Sequence, residues 1–453
     1  MLKIAYKNLG CKVNAYETNK VRAELSVFNF EEVDFNSYAD IYVINTCSVT
    51  HVADRKSRQM INRSIDYNEN AIVIAMGCSV ENIDNSSINN NDNIIFITNK
   101  DKDNVKEILK TYLDHHHIDY QIENNIQKSK VLGNKSKNKL VRAFIKIEDG
   151  CNQFCSYCII PYLRGRVKSK TKESIINYIK DRVNNGIVEV VLTGINISSY
   201  GLDFHGLNYE NEGAIDIASK EFILLINDIA KIEGLKRIRL GSIEPRLIND
   251  YFLDSLSKIK YKFCDEFHLS LQSGCDRILK LMNRHYNTCE YYDRCDKIRK
   301  VFPNASITTD IIVGFPCETD EDFLETIEFC KKVRFYNPHI FKYSKREGTK
   351  AYDMPNQVPE DIKNYRSEKL ISITKDISDE IRKSYIDKEV DILVESIDKV
   401  DNQIVLNGFT REYIDTKVSL SNISEQSDLL GKIIKVKVKS QKDDFLCAEM
   451  EGK

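Results

Sequence analysis

The sequence predicts an α/β protein in three parts: an N-terminal doubly wound α/β domain, a central partial (βα)6 barrel and a small C-terminal β-barrel. Apolar strand patterns alternate with helical patterns along most of the chain, which is typical of parallel sheets. The last part instead contains short strands with no helices between them, as expected for a small barrel. A length of 453 residues suits two or three domains.

Residues 1–115 form the predicted N-terminal domain. Its predicted strands are the apolar segments KIAYKNLG, IYVINTC, AIVIAMGC and NIIFITN. Helical spacing is present over residues 14–28, 52–67 and 101–113. Sites in doubly wound sheets form beyond the carboxyl ends of the strands. Cys11, Cys47 and Cys78 each follow one of these strands, so we expect them to meet at one edge of the sheet.

Residues 140–384 carry the predicted barrel and one further helix, after a polar linker over residues 116–139. The strand pattern occurs six times: RAFIKIEDG, EVVLTG, RIRLGS, EFHLSLQSG, SITTDIIVGFP and HIFKYS. Helical segments separate the strands, and right-handed crossovers then favour a curled parallel barrel with helices outside. The active site of such a barrel lies at the C-terminal mouth of the strands.

Residues 385–453 form the predicted C-terminal barrel. Five short strands are expected, in EVDILVESI, QIVLNGFT, TKVSLS, KIIKVKVKS and FLCAEME. Lys435, Lys437 and Lys439 alternate along the fourth strand, so they share one face. A basic face on a small barrel is a surface that nucleic acid can bind, although for any single lysine a solvated charged face is the better explanation.

Overall charge and cysteine content limit the cellular setting. Lys and Arg number 66 against 68 Asp and Glu, a net charge of −2, so bulk charge gives no argument for nucleic-acid binding. Thirteen cysteines without a secretory signal indicate a reducing compartment, and we expect a cytoplasmic protein. The apolar runs are too short to span a bilayer, so no membrane association is expected.

A tight trio of cysteines follows the first barrel strand directly. Cys151, Cys155 and Cys158 lie in EDGCNQFCSYCIIPYLRGR. A cubane iron–sulfur cluster normally takes four thiolates, so a trio leaves one iron open to another ligand. The spacing differs from the CxxC pairs of zinc sites and from the ferredoxin run. A zinc site with one distant ligand, or three unrelated thiols, remains the alternative.

The wide trio, Cys11, Cys47 and Cys78, is less distinctive by spacing. Buried free cysteines are common, and inert core thiols are the alternative. Their equivalent positions at strand ends favour a second ligand set. Two trios predict two clusters, each with an open iron, and an open iron indicates chemistry rather than electron storage. The other seven cysteines repeat no such spacing and are interpreted as packing thiols.

The tight trio, with Tyr157 before its last cysteine, resembles the CxxxCxΦC motif of the radical S-adenosylmethionine (SAM) superfamily. The segments NLGCKVNAYET, INTCSVTHVADRKSRQ and AMGCSV resemble the N-terminal domain of the methylthiotransferases. The resemblance covers essentially the whole chain and includes a C-terminal barrel like the TRAM domain. It implies two 4Fe–4S clusters: one at the tight trio, where SAM is cleaved to a radical, and an auxiliary one at the wide trio, which holds the transferred sulfur.

The resemblance also implies cofactor and RNA contacts. The SAM contacts implied at the strand ends are Gly194, Asn196, Glu244, Gln272 and Gly314. Turn geometry or contacts within the protein explain each of them about as well. The implied RNA contacts are Arg55, Arg58, Arg164, Arg166, Lys435, Lys437 and Lys439. For any single one of these, a solvated charged face is the alternative.

Four segments, GCKVNAYE, NTCSVTHVADRKSRQ, EDGCNQFCSYCIIPYLRGR and YSKREGTKA, most resemble the branch that modifies N6-threonylcarbamoyladenosine in tRNA. The implied activity is addition of a methylthio group to C2 of this nucleoside at position 37, next to the anticodon. The implied partners are the tRNA anticodon loop, an external one-electron reductant and a sulfur donor. Lys342 departs from the family, in which Pro is frequent there, and this puts the local loop shape in doubt.

Three alternatives to this activity remain. The first is methylthiolation of N6-isopentenyladenosine in tRNA. The second is methylthiolation of an aspartate on a ribosomal protein. The third is a non-catalytic RNA-binding module that carries clusters. No side chain is identified from the sequence as a general acid or base.

Overall fold

The computed structural model describes residues 1–82, 92–122, 140–400, 403–420 and 429–450. Most of the predicted linker, from residue 123 to 139, lies outside the described residues. Within the described ranges, no helix is long and apolar enough to cross a membrane.

The N-terminal domain is a parallel sheet with helices on both faces. Its strands are β1 (Lys3–Asn8), β2 (Glu31–Glu32), β3 (Ile41–Thr46), β4 (Ile72–Gly77) and β5 (Ile94–Ile97). Its helices are α1 (Lys12–Leu25), α2 (His51–Tyr67) and α3 (Val105–His115). The strand order is β2-β1-β3-β4-β5, and every pair is parallel. The short edge strand β2 is the one strand that periodicity did not predict, because two exposed glutamates give no apolar signal.

The two faces of this sheet carry separate apolar cores because successive strand residues point to opposite sides. Tyr42 and Ile44 of β3 pack with α2. Ile41 and Val43 pack with α1 and α3. A strand buried on both faces reads as a continuous apolar run, which is why β3 and β4 were recognisable in the sequence.

The central domain is an open barrel of parallel strands with helices outside, and it includes one short antiparallel pair of strands, Glu148–Asp149 with Lys168–Ser169. Its strands are β6 (Arg142–Lys146), β7 (Glu148–Asp149), β8 (Lys168–Ser169), β9 (Glu189–Thr193), β10 (Arg237–Leu240), β11 (Ser242–Ile243), β12 (Glu266–Leu269), β13 (Ser306–Thr308), β14 (Asp310–Val313) and β15 (His339–Lys342). Its helices are α4 (Ile160–Arg164), α5 (Lys172–Asn184), α6 (Ala214–Ala230), α7 (Asp250–Ser257), α8 (Asp276–Leu281), α9 (Thr288–Val301), α10 (Asp320–Val333) and α11 (Glu360–Lys383).

The six predicted strand segments follow one another around this barrel. β6, β9 and β10 form one parallel group, β11, β12 and β13 a second, and β14 and β15 a third. Single parallel bridges, Ile238 with Phe263 and Gln272 with Ile311, join the groups. Lys342, the position where Pro was expected, continues β15 and pairs with Val313.

Helix α6 begins earlier than helical spacing predicts. Helical spacing in the sequence predicts a helix over residues 221–232, whereas the helix starts at Ala214. Gly213, in a left-handed conformation with φ 72°, precedes it and supplies no capping side chain. The usual polar signal for a helix start is therefore missing from the sequence.

The C-terminal strands are β16 (Glu389–Val400), β17 (Gln403–Phe409), β18 (Asp415–Leu420), β19 (Ile433–Lys442) and β20 (Phe445–Met450). They close into a barrel in the order β16-β17-β18-β20-β19. This barrel caps the amino ends of the central strands. There the buried Arg239 binds Glu266 Oε2 at 2.8 Å and donates to the carbonyl of Arg411 at 3.1 Å. The predicted three-part α/β fold class is thus confirmed.

Candidate active site

The wide trio of cysteines meets at the carboxyl edge of the N-terminal sheet. Cys11 follows β1 and caps α1, Cys47 follows β3, and Cys78 follows β4. The burial of Cys78 raises the pKa of its thiol to about 11, and the charges of Cys47 and Cys11 add to the shift. Cys11 Sγ donates to Asn14 Oδ1 at 3.4 Å, and Arg164 donates to both Asn14 Oδ1 and Cys78 Sγ, so one arginine bridges the two ends of the trio.

Asn14 holds this edge together. Its side-chain amide donates to Asn45 Oδ1 at 3.1 Å and to the carbonyl of Thr46 at 2.8 Å, directly before Cys47. A Cβ on Gly10 would lie 2.9 Å from the Cβ of Cys47. The segment that carries Cys11 thus passes too close to β3 for any residue other than glycine at position 10.

The tight trio lies in the loop between β7 and α4, at the mouth of the central barrel. The amide of Gln153 donates to Cys151 Sγ at 3.5 Å, and the amide of Cys158 donates to the carbonyl of Cys155 at 3.0 Å. Arg284, which follows α8, donates from Nη1 to Cys155 Sγ at 3.1 Å. The contact of Arg284 with Cys155 could not be predicted from the sequence, because the two residues lie 129 positions apart and Arg284 is in no recognised motif.

The two trios face each other across the boundary between the first two domains. Cys78 packs against Ile159 and Leu163 of the segment that directly follows Cys158. Arg164, at the end of α4, donates from Nε to Cys78 Sγ at 3.1 Å. A contact of this kind between segments 86 residues apart fixes the wide trio against the mouth of the barrel.

A buried network of charges surrounds Arg164. Three cations face two carboxylates. Glu17 Oε1 lies 3.1 Å from Arg164, 2.8 Å from Lys146 and 2.9 Å from Lys102. Asp149 contacts the same three cations, at 2.5 to 3.0 Å. The surplus of one positive charge lies beside Cys78 and suits an anionic group, and a cluster held by three thiolates carries net negative charge.

In the part of the chain that the structure describes, the sulfurs of neither trio are drawn together around a single ion. Among the described residues, the sulfurs of neither trio all lie within 4.8 Å of one another. Four ligands around one Zn²⁺ at about 2.3 Å lie only about 3.8 Å apart. Neither trio is therefore a closed ligand set for one zinc ion, and each supplies three thiols for the loading of a cluster. Because ligand thiols must be deprotonated, such loading releases protons.

Orphaned polar atoms line the barrel mouth beside the tight trio. Among the described residues, four buried atoms there lack a hydrogen-bond partner: Glu148 Oε2, Gln153 Nε2, Glu244 Oε2 and the Tyr343 hydroxyl. Such buried polar groups are normally paired, so a polar ligand is expected to pair with them. SAM, with amino, carboxylate and hydroxyl groups, fits this set.

Two of these carboxylates are held in place for that role. Arg246 binds Glu244 Oε1 at 2.7 Å and Gln153 Oε1 at 3.4 Å, which leaves Glu244 Oε2 free to accept. Glu148 Oε1 accepts from the amide of Asn196 at 2.5 Å. Burial raises the pKa of Glu148 to about 8, so at neutral pH its Oε2 can carry a proton and donate.

The two glycines among the implied SAM contacts have partners within the protein. A Cβ on Gly194 would lie 2.1 Å from Glu148 Oε1. A Cβ on Gly314 would lie 2.3 Å from Cγ of Lys363, and Gly314 has φ +70°. Packing and turn geometry therefore account for both glycines. Gln272, by contrast, is a buried non-glycine residue with φ 75° at the end of a strand, a strained conformation that is frequent at functional sites.

The structure corrects one expected RNA contact. Arg164 was predicted to bind RNA, but its side chain is only 1% exposed and is occupied by Glu17, Asp149 and Cys78. Arg166, two residues further, stacks on Phe154 with its guanidinium 4.4 Å from the ring. Arg164 is thus part of the buried boundary between the first two domains, whereas Arg166 lies near the surface.

The remaining predicted basic contacts lie in two places. Arg55 and Arg58 line an open groove on α2 together with Arg63 and one acidic residue, Asp66. The three lysines lie on β19, where Lys437 is flanked in register by Glu389 and Glu449. Lys435 binds Glu389 at 3.5 Å and Lys439 binds Glu449 at 3.3 Å. The lysine face is thus largely balanced by acidic neighbours, whereas the groove on α2 is predominantly basic.

Arg346 links the end of the barrel to the wide trio and was not singled out in the sequence, although it lies in YSKREGTKA. It binds Asp54 Oδ2 at 2.5 Å and Ser48 Oγ at 2.7 Å. Asp54 in turn accepts from Ser79, which follows Cys78 directly, at 2.8 Å. The segments that follow Cys47 and Cys78 are therefore both anchored to the barrel through Arg346.

Replacing Gly150 with alanine is expected to prevent cluster loading at the tight trio. Its φ is +78°, and a Cβ would lie 2.1 Å from the carbonyl oxygen of Arg166, which is backbone and cannot move aside. The matched control is Gly165→Ala, with φ +76° and no atom within 4 Å of the added Cβ. The control should cost only about 1–2 kcal/mol of backbone strain. Iron content after anaerobic reconstitution measures both, and equal iron in the two variants would contradict the expectation.

Comparison with known proteins identifies the class and then the family. Residues 145–330 match the model of the radical SAM superfamily, and residues 3–98 match the model described as uncharacterized protein family UPF0004. A radical SAM methyltransferase structure, TsrM from Kitasatospora setae, superposes with a TM-score of 0.51 at 12% identity over 77% of each chain, a likeness of fold. Radical SAM enzymes combine SAM with a 4Fe–4S cluster.

Two relatives named threonylcarbamoyladenosine tRNA methylthiotransferase MtaB align over nearly the full length. The protein of Bacillus subtilis (strain 168) is 35% identical, over 97% of this chain and 94% of the relative. The protein of Aquifex aeolicus is 34% identical, over 96% and 100%. A tRNA-2-methylthio-N(6)-dimethylallyladenosine synthase of Clostridium tetani is also 34% identical, over 95% and 92%. The chain belongs to the radical SAM methylthiotransferase family.

Proposed function

We propose that the protein adds a methylthio group to C2 of N6-threonylcarbamoyladenosine at position 37 of tRNA, next to the anticodon. In this proposal Cys151, Cys155 and Cys158 hold the cluster that binds SAM. The wide trio of Cys11, Cys47 and Cys78 holds an auxiliary 4Fe–4S cluster. When bound, these groups supply a SAM-derived radical, which removes hydrogen, and the sulfur that is transferred.

The observation that carries the proposal is the contact between Cys78 of the wide trio and the segment that directly follows the tight trio. Ile159, next to Cys158, packs on Cys78, and Arg164 donates to Cys78 Sγ. The transferred sulfur and the radical must reach one adenine, so both sources must lie close together. The roles of the side chains are to bind and orient: Glu148, Glu244 and Gln272 border the space for SAM, while Arg164 and Arg346 fix the auxiliary site against it.

The names of the relatives support tRNA as the substrate, and they leave two modified nucleosides as candidate targets. Two of the relatives found are named for threonylcarbamoyladenosine, at 34–35% identity, and six are named for dimethylallyladenosine, at 31–35%. The segment YSKREGTKA and the flanks of Cys11 favour the threonylcarbamoyl nucleoside. An external one-electron reductant and a sulfur donor complete the proposal, and a cytoplasmic location agrees with a tRNA substrate.

Turnover on defined tRNA tests the substrate. The reconstituted enzyme is incubated anaerobically with SAM, a reductant and tRNA that carries either N6-threonylcarbamoyladenosine or N6-isopentenyladenosine, and the nucleosides are analysed by mass. Product from the threonylcarbamoyl substrate alone supports the proposal. Product from the isopentenyl substrate alone contradicts it. No product from either tRNA, with 5′-deoxyadenosine still formed, would instead direct the search to a ribosomal-protein aspartate.

Tight binding of tRNA should depend on the groove on α2. The double variant Arg55→Ala/Arg58→Ala is expected to weaken binding and to reduce the slope of log affinity against log salt by roughly 1.4–1.8, because each phosphate contact contributes about 0.7–0.9. The control Lys258→Ala/Lys300→Ala removes the same charge from exposed pairs with Asp254 and Asp296. Fluorescence titrations at several salt concentrations measure both slopes, and equal slopes would exclude the groove.

A further inference from the structure

Three side chains with metal-binding groups lie together inside the barrel, away from both cysteine trios. They are His268 of β12, Asp310 of β14 and His339 of β15, and are called the His–Asp–His triad below. His268 and Thr308 are register partners, as are Asp310 and His339. Sheet register therefore places Asp310 beside His339 and two residues beyond the register partner of His268.

The triad faces the interior of the barrel. Phe267, Leu269 and Ile311, the chain neighbours of the triad, belong to the apolar core between the strands and the outer helices. Because successive strand residues point to opposite sides, His268 and Asp310 point inward. Ile340 also packs against that core, which orients His339 in the same way.

The ligand atoms of the triad converge. Asp310 Oδ2 lies 3.1 Å from His268 Nε2, and Asp310 Oδ1 lies 3.1 Å from His339 Nδ1. One ligand atom from each residue lies within 4.8 Å of the other two, and no other set of three or more His, Cys, Asp or Glu in the described ranges meets this limit. Ligands at about 2.1 Å from a tetrahedral ion lie about 3.4 Å apart, so small movements suffice.

The surroundings of the triad are those of a metal site. His268 Nδ1 lies 2.8 Å from Thr308 Oγ1, and a ligand histidine is usually oriented by such a bond from its other ring nitrogen. The His268 side chain is 7% exposed and that of His339 58%, so the triad is enclosed on one side and open on the other.

We propose that His268, Asp310 and His339 bind a divalent transition-metal ion such as Zn²⁺, with its fourth position open to the barrel interior. Two imidazoles and one carboxylate are a donor set that suits zinc and other ions of this class. Each triad residue lies four positions before a residue at the mouth of the barrel: Gln272, Gly314 or Tyr343. At about 3.3 Å per strand residue, the triad is about 13 Å from the mouth. The ion is therefore separate from any group at the cysteines.

The ion has a structural consequence for the mouth of the barrel. β15 pairs with β14 alone in the described sheets, and the chain that follows it carries Arg346, the anchor of the wide trio. A bond from His339 to an ion shared with His268 ties this edge strand to β12. Binding of zinc should thus raise the melting temperature of the protein.

The test uses the full-length enzyme, loaded with iron–sulfur clusters, washed with a chelator and equilibrated anaerobically with zinc alone. Metal analysis should give one bound zinc per chain. X-ray absorption at the zinc edge should show nitrogen and oxygen neighbours at about 2.0–2.1 Å with imidazole scattering. Asp310→Asn and His339→Gln should each lose the zinc and the rise in melting temperature, while keeping the iron content of the native chain.

The control is His205→Gln, because His205 forms a pair with Glu221 at 2.9 Å on the outer surface and is no part of the triad. It should retain the zinc. If Asp310→Asn fails to fold, the zinc content of His339→Gln, a change at a largely exposed position, tests the proposal instead. Absence of bound zinc in the native chain, zinc with sulfur neighbours at about 2.3 Å, or unchanged zinc in the folded variants would each overturn the proposal.

Discussion

Replacing Cys47 with alanine is expected to abolish methylthio transfer while SAM cleavage continues. Cys47 is buried at the wide trio and makes no hydrogen bond to the tight-trio loop in the described structure. Its loss removes one of three ligands from the auxiliary site and leaves Cys151, Cys155 and Cys158 intact. 5′-Deoxyadenosine should still form at a rate within a few-fold of the native rate, and methylthiolated nucleoside should fall below detection.

The complementary variant is Cys155→Ala, which should abolish both products. Cys330→Ala serves as the matched control, because Cys330 is an equally buried cysteine in α10, packed among apolar residues. The control should retain both products, with only the moderate loss of stability that a small core deletion causes. Methylthiolated product from Cys47→Ala would reject the auxiliary role of the wide trio.

Replacing Glu17 with glutamine is expected to destabilise the boundary between the first two domains by roughly 3–5 kcal/mol. The change leaves Lys102, Lys146 and Arg164 buried around the single carboxylate of Asp149. Although burial opposes it, Arg164, Lys146 and Lys102 lower the pKa of Glu17 to about 2. A lowered pKa means that the stabilisation is present above the ordinary pKa of a carboxyl group and is lost as the pH falls towards 2.

The control for Glu17→Gln is Glu24→Gln on the same helix. Glu24 forms a partly exposed pair with Lys20 at 3.5 Å, and such pairs contribute little. Denaturant unfolding of the two variants under identical anaerobic conditions measures the difference. Equal stability of Glu17→Gln and Glu24→Gln would show that the buried charges are not coupled as the distances indicate.

The positions of the cysteines could be predicted because they depend on local signals. Each cysteine of the wide trio ends an apolar run, and parallel strands bring such ends to one edge. The tight trio follows the first strand of a barrel, whose mouth is fixed by the direction of the strands. Neither inference needed the packing of one domain on another.

The contacts of Arg164 could not be predicted, since its partners come from both domains. Glu17 lies 147 residues away, and its place on α1 reads as an ordinary charged helix face. The positions of Glu389 and Glu449 beside the lysines of β19 could not be predicted either. Periodicity shows which residues share a face of a strand, but it does not show which strands lie next to it in the barrel. The packing of Glu148 against Gly194 and of Lys363 against Gly314 could not be predicted either, because these partners are distant in sequence, and the two SAM contacts stay predictions.

The central claim, two clusters each held by three cysteines, is tested most directly by counting iron and sulfide per chain after anaerobic reconstitution. Two cubanes predict eight irons and eight sulfides in the native chain. The triple variant Cys11→Ala/Cys47→Ala/Cys78→Ala should retain four of each. A native chain that binds only four irons, or a triple variant that still binds eight, would contradict the account.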